Sequence, residues 1–150
     1  MFQRQNEIQG SSIKAALYIS KGFDQMKIRR GDIFVTDIES VGENVGSEQS
    51  SRRPAVIIQN DTGNEYSPTT IVAFITTKNK HNIPTHVRLH TSRLYYPSIA
   101  LLEQIRTISK ERLVKYIGTL SDSEMEKIDK ALCISLGIDR KDKNNGKNNG

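Results

Sequence analysis

The sequence predicts a mainly β domain, a small barrel or sandwich, with one helix near its C-terminus. Three observations carry that prediction. From Gly31 onward, short β-branched runs alternate with turn residues, the spacing of a small all-β fold. Ser121 to Gly137 carries start, repeat and stop signals of a single helix. The length of 150 residues, 35% of them hydrophobic, suits one domain with a modest core.

Taken in order, residues 1–25 read as an N-terminal extension in which Ile13 to Phe23 forms at most a short helix, with no chemistry assigned. The domain proper is expected over 26–138. Asp32 to Ile38 alternates as a first strand, and Glu39 to Arg52 is a long polar loop of the kind that often carries function. Arg53 to Gln59 is a second strand, apolar enough to be covered on both faces. Asp61-Thr62-Gly63-Asn64 and Tyr66-Ser67-Pro68 punctuate a turn. Thr69 to Thr76 is a third β-branched run, Lys78 to Asn82 a polar loop, and Thr85 to Leu89 an alternating, half-exposed strand. Ile99 to Ile108 begins apolar and turns polar, so its second half is expected to leave the core and face a surface. Ser121 and Glu124 form a capping-box pattern, Met125, Ile128, Leu132 and Leu136 recur at helical spacing, and Gly137 supplies the stop. Residues 139–150 carry too little apolar surface to order themselves and are expected to be a disordered tail.

The net charge of +5 is unevenly spread. Residues 1–30 hold six Lys/Arg against two Asp/Glu, 139–150 hold four against two, and 31–138 hold 12 against 13. Any phosphate-binding surface of the domain is therefore local rather than a product of bulk charge. In the N-terminal part, Lys14, Lys21, Lys27, Arg29 and Arg30 offer weak attraction to a polyanion. Cys133 is the sole cysteine and sits in an apolar helical pattern, so an internal disulfide is excluded and a core role is expected. No apolar run approaches a membrane span, and Ala15 to Ile19 is too short for the apolar region of a secretion signal. A cytoplasmic protein is the expectation.

Chemistry centres on residues 46–61, a polar loop running into a strand. Pro54 biases Arg53 toward an extended backbone, where a flexible loop meets a stiff run. A fixed guanidinium grips two phosphate oxygens and stays charged at physiological pH. On composition alone, a solvated arginine pair is the commoner outcome. His86 and His90, four apart on a strand, are too distant to share an ion and read as surface residues, and no other metal-ligand spacing is present. Walker-type glycine loops and Gly-x-Ser-x-Gly elbows are also absent. What remains are strand-end groups: Arg53, Thr76 and the polar half of the strand with Glu103, Gln104, Arg106 and Thr107.

Arg30-Gly31-Asp32, Gly46-Ser47-Glu48-Gln49 before Arg53-Pro54, Gln59-Asn60-Asp61, Pro84-Thr85-His86-Val87 and Leu101 to Thr107 stand in the order of a known family. With these motifs the sequence resembles the MazF/PemK toxins, mRNA interferases of type II toxin–antitoxin pairs, from about Arg29 to Gly137. The resemblance implies an SH3-like, partly open barrel of the MazF/CcdB toxin type with a C-terminal helix, acting as a homodimer on single-stranded RNA. It implies metal-independent cleavage with no cofactor, giving 2′,3′-cyclic phosphate and 5′-hydroxyl ends. A MazE-like antitoxin partner, and operator DNA bound through the antitoxin complex, are implied as well. By position, Arg53 and Thr76 fall on the family's catalytic arginine and threonine, Ser47, Glu48 and Gln49 in its substrate-contacting loop, and Gln104 and Arg106 near its binding surface. Arg52 adds a charge beside the catalytic position, either for backbone affinity or simply solvated. The 40–45 segment is longer than is usual in the family, and Ser50-Ser51 replaces common glycines, so the resemblance leaves the RNA sequence cut open.

The implied chemistry suits strand-end residues. Attack by the substrate's own 2′-hydroxyl is intramolecular, so the protein aligns the chain and stabilises charge gathering on phosphorus. Arg53 is a natural clamp or proton donor and a reluctant base, while Glu48 is open to either a proton-accepting or a base-reading role. Two rivals follow from the same fold: a non-catalytic toxin that inhibits DNA gyrase, and a degenerate member retained for operator-bound autoregulation.

Overall fold

The computed structural model describes residues 27–38, 52–91, 93–94 and 96–140. The expected helix at 13–23, most of the 39–52 loop with Ser47, Glu48 and Gln49, and the tail beyond Arg140 lie outside the described residues. The described residues form six strands: β1 (Asp32–Asp37), β2 (Arg52–Ile57), β3 (Thr69–Thr76), β4 (His86–Leu89), β5 (Ser98–Ser109) and β6 (Leu113–Thr119). Among the described residues two α-helices accompany them, α1 (Asp61–Tyr66) and α2 (Asp122–Leu136), with a 3₁₀ turn at Lys110–Arg112. The strands make one antiparallel sheet in the order β4-β5-β3-β2-β1-β6.

The connection from β5 to β6 dictates the sheet's shape. Those strands stand four places apart in the order, about 19 Å in a flat sheet at ordinary strand spacing. Three residues in 3₁₀ conformation join them, and such a turn advances only about 2 Å per residue. The sheet must therefore curl, which brings Ile108 of β5 and Leu113 of β6 into one apolar cluster with Phe34, Ala55, Ile57, Val72 and Phe74. This is the partly open barrel expected from the resemblance. Register shifts in the β1–β6 and β3–β5 ladders supply local bends.

Alternation along each strand fills a second core on the other face. Ile33, Val56, Ala73, Ile75, Ala100 and Leu102 point there and meet Ile128 and Ala131 of α2. The helix starts as its sequence dictates: the Ser121 hydroxyl accepts from the Glu124 backbone N–H while the Glu124 side chain accepts from the Ser121 N–H. It ends at Gly137 in the left-handed region, φ 68°. Leu136, expected on the apolar stripe, is instead half exposed at 52%. Cys133 is a free thiol and only half-buried. No described helix is long and apolar enough to cross a membrane.

Two segments depart from expectation. The turn residues Asp61–Tyr66 form a short helix, because the Asn60 side chain caps it by accepting from the Gly63 N–H. Its Asn64 is buried and central to a network: Oδ1 accepts from the Thr70 hydroxyl at 2.8 Å and from Gln59 Nε2 at 3.3 Å, and Nδ2 donates to the Gln59 carbonyl at 2.9 Å. The Asn64 carbonyl also accepts from Lys110 Nζ. The second is β6, Leu113–Thr119, which was left unassigned from the sequence and pairs with β1.

Candidate active site

Arg53 sits at the second residue of β2, opposite Thr36 of β1. The fully buried Thr36 donates its hydroxyl to the Arg53 carbonyl at 2.8 Å, which fixes the backbone from which the guanidinium projects. Above that backbone the guanidinium carbon lies 4.7 Å from the centre of the Phe74 ring, a cation–π contact that orients the fork while leaving its N–H groups outward. The expectation of a held arginine at a strand start is met. Its neighbour Arg52 turns the other way, with Nε 4.0 Å from a carboxylate oxygen of Asp37.

Thr76 closes β3. The β2–β3 ladder pairs Ala55 with Phe74, Val56 with Ala73 and Ile57 with Val72; Arg53, two residues before Ala55, and Thr76, two after Phe74, lie just beyond the same end of it. The Thr76 hydroxyl oxygen accepts from the Lys78 N–H at 3.1 Å, which uses a lone pair and leaves the O–H to donate to a ligand.

Both residues line one cleft of about 400 Å³, floored by Ile75 and Leu101 and bordered by Gln104, Lys78 and Lys80. Gln104 reaches it through an irregularity in β5: Phe74 pairs with Leu101 but the preceding Ala73 pairs with Ile105, so one step on β3 spans four on β5. Residues 102–104 are thereby pushed out of register. Arg106 is exposed beside Val72 and is not part of the cleft wall. The lysines were missed in the sequence reading, although Lys78-Asn79-Lys80 directly follows Thr76-Thr77. Together with Arg53 they put three cations in the lining that also holds Thr76 and Thr77.

The same irregularity turns Glu103 toward His86. Nε2 of His86 donates to the Glu103 carboxylate at 2.7 Å, and Nδ1 lies 3.0 Å from the His81 carbonyl. His86 is thus not the surface residue expected from strand alternation; its side chain is only 8% exposed. Burial pushes the Glu103 carboxyl up, but the His86 hydrogen bond, bonds from backbone and Thr85, and the positive field of His86 outweigh it and hold it below its ordinary value.

Other quoted motifs have structural duties. The Arg30 guanidinium donates to the Ile58 carbonyl at 2.9 Å and pairs with Asp129 of α2 at 2.5 Å, so it pins the helix instead of attracting a polyanion. Gly31 has φ 91°, and a Cβ there would stand 3.2 Å from Met125 Sδ. Asp32, fully buried, accepts from the Arg29 N–H at 2.9 Å and from the Thr119 hydroxyl at 2.6 Å.

A family model described as PemK-like, MazF-like toxin of type II toxin–antitoxin system matches residues 29–136. The chain belongs to this PemK/MazF-like toxin family. Solved structures agree on the fold. An endoribonuclease from a mycobacterial species is 24% identical with TM-score 0.63, covering 76% of this chain and 95% of its own. An endoribonuclease from mycobacterial species in complex with its cognate antitoxin, 24% identical with TM-score 0.63, covers 75% and 98%. The Mycobacterium tuberculosis toxin MazF-mt6, 21% identical with TM-score 0.61, covers 73% and 99%. In this PemK/MazF-like chain, the matched region thus spans both cores, the cleft and α2.

Proposed function

We propose that this toxin is a metal-independent endoribonuclease that cleaves single-stranded RNA at short sequences. The observation that carries the reading is the shared cleft of Arg53 and Thr76, edged by Lys78 and Lys80. The 2′-oxygen of the substrate attacks phosphorus, the bond from phosphorus to the 5′-oxygen breaks, and the products are a 2′,3′-cyclic phosphate and a 5′-hydroxyl. The 2′-hydroxyl gives up its proton and the leaving 5′-oxygen gains one. Arg53 grips the non-bridging oxygens as charge accumulates, and Thr76 donates to the same group. Lys78 and Lys80 hold flanking phosphates. Gln104 and, in the loop before β2, Ser47, Glu48 and Gln49 contact the bases, while Arg52 and Arg106 lie along the RNA path.

The toxin acts in the cytoplasm as a homodimer, neutralised by a cognate antitoxin that also carries the pair to operator DNA. Support for the antitoxin comes from the family match and from the mycobacterial structure solved with its antitoxin. The rival reading, inhibition of DNA gyrase without catalysis, gives the arginine, hydroxyl and lysine cluster no task.

Cleavage of a long RNA in excess EDTA, with end mapping, tests the proposal. Expected are 2′,3′-cyclic phosphate ends from the wild type and a loss of about 10²–10³ in rate for Arg53→Ala, the scale of removing a donor to a charged transition state. Full activity in Arg53→Ala, or an absolute need for added metal, would end it. Blocked DNA supercoiling with intact RNA would favour the gyrase alternative.

A further inference from the structure

We infer that the groove between β4 and α2 is a second binding site for the sugar–phosphate backbone of single-stranded RNA, continuous with the Arg53 cleft. This rests on the ribonuclease reading above and extends the path of its substrate. β4 is the outermost strand of the sheet, and α2 packs over it and over β5, leaving a groove of about 370 Å³. Arg88, His90, Lys127 and Lys130 stand around an apolar floor that includes Val87 and Ala131. Lys127 and Lys130 are three apart on a helix and so share a face.

The carboxylates nearby are engaged elsewhere or only weakly. Glu126 lies 3.9 Å from Lys130 in an exposed pair, Glu124 accepts from the His90 backbone N–H and caps α2, and Glu103 is held by His86. Arg88 and Lys127 form no ion pair among the described residues. Among the described residues, the groove lining therefore includes two cations without an ion-pair partner, Arg88 and Lys127, and a third, Lys130, in a long exposed pair.

Continuity with the active cleft favours RNA as the occupant. The segment between β3 and β4 forms a wall of both: Lys78 and Lys80 face the cleft, and Asn82 and Pro84 face the groove. Lys80 and Asn82 are two residues apart, at most about 7 Å of chain. His86 holds this wall in place through the His81 carbonyl on one side and Glu103 on the other. A polynucleotide leaving Lys80 thus meets the next cations along a fixed edge. Among the described residues the groove's aromatic rings are the imidazoles of His86, held by Glu103 and the His81 carbonyl, and of His90; its cations point to contact with phosphates, which adds affinity without sequence preference.

The experiment pairs Arg88→Ala/Lys127→Ala with a control, Lys115→Ala, on the distant β6. Binding is read by fluorescence anisotropy on a short and a long uridine oligomer across salt concentrations, and cleavage on a minimal oligonucleotide and on one extended at both ends. Expected is a loss of about tenfold in affinity for the long oligomer alone, with a salt slope shallower by about 1.4 for two lost phosphate contacts. KM should rise for the extended substrate, with kcat on the minimal one unchanged and Lys115→Ala like the wild type. Equal effects on short and long RNA, an unchanged salt slope, or loss of acidic-peptide binding with RNA affinity intact would overturn the inference. If the wild type cuts no RNA, the ribonuclease reading falls, and the anisotropy arm still decides whether the groove holds RNA.

Discussion

The Arg53 guanidinium stands 4.7 Å over the Phe74 ring, and Phe74 itself belongs to the core inside the curl of the sheet. The expected phosphate clamp is therefore aimed by a core residue. Phe74→Leu keeps most of the buried volume and removes the ring, losing a contact worth about 0.5–1 kcal/mol at an exposed cation. RNA cleavage should fall about two- to fivefold by the same arithmetic. In an Arg53→Ala background the same substitution should have almost no effect. An equal drop in both backgrounds would mean that Phe74 acts through packing alone.

Asn64 fixes the β2–β3 connection, and with it the strand pairing that brings Arg53 and Thr76 to one cleft. Asn64→Ala strands the buried Thr70 hydroxyl and leaves Gln59 Nε2 only its bond to the Thr69 carbonyl. Urea denaturation should show a loss of about 1–3 kcal/mol, the cost of unsatisfied buried polar groups. A change within about 0.5 kcal/mol, the range of neutral surface substitutions, would show that the network is dispensable.

Glu103 predicts an acid-side loss of stability. Its carboxyl is held below its ordinary value of 4.5, so the folded state favours the ionised form. That stabilisation is complete above the unfolded value and disappears as pH falls through the lowered folded value. Thermal melts from pH 6 down to pH 3 should show a shallower acid limb for Glu103→Gln than for wild type. Superimposable limbs would remove Glu103 from the account.

Gly31 and Gly137 both have positive φ, 91° and 68°, but only Gly31 is crowded, with Met125 Sδ 3.2 Å from a would-be Cβ. Gly137→Ala should cost about 1–2 kcal/mol for left-handed backbone alone. Gly31→Ala should cost more, because Met125 must also shift. Equal losses in chemical denaturation would contradict the packing difference.

Much of the fold was legible because its signals are local. Thr69–Thr76 is an unbroken β-branched run and forms β3 with those bounds, and Ser121, Glu124 and Gly137 mark the ends of α2. Asp61–Tyr66 misled because turn-forming residues also make a short helix once Asn60 caps it and Asn64 finds buried partners. His86 misled because alternation in Thr85–Leu89 assigns it to the exposed face, whereas its partner Glu103 arrives only through the shifted register of β5.

By itself the sequence determined the number and kind of most elements, the family motifs and the identity of Arg53 and Thr76 as the residues to watch. Propensity, capping and alternation act over a few neighbours and can be read along a line. The tertiary structure alone decided that a short β5–β6 link curls the sheet, that Lys78, Lys80 and Gln104 share a cleft with Arg53 and Thr76, and that Arg30 pins a helix. Those outcomes depend on strand order and register between residues far apart in the chain, where hydrogen-bond pairing and packing, not local preference, set the distances.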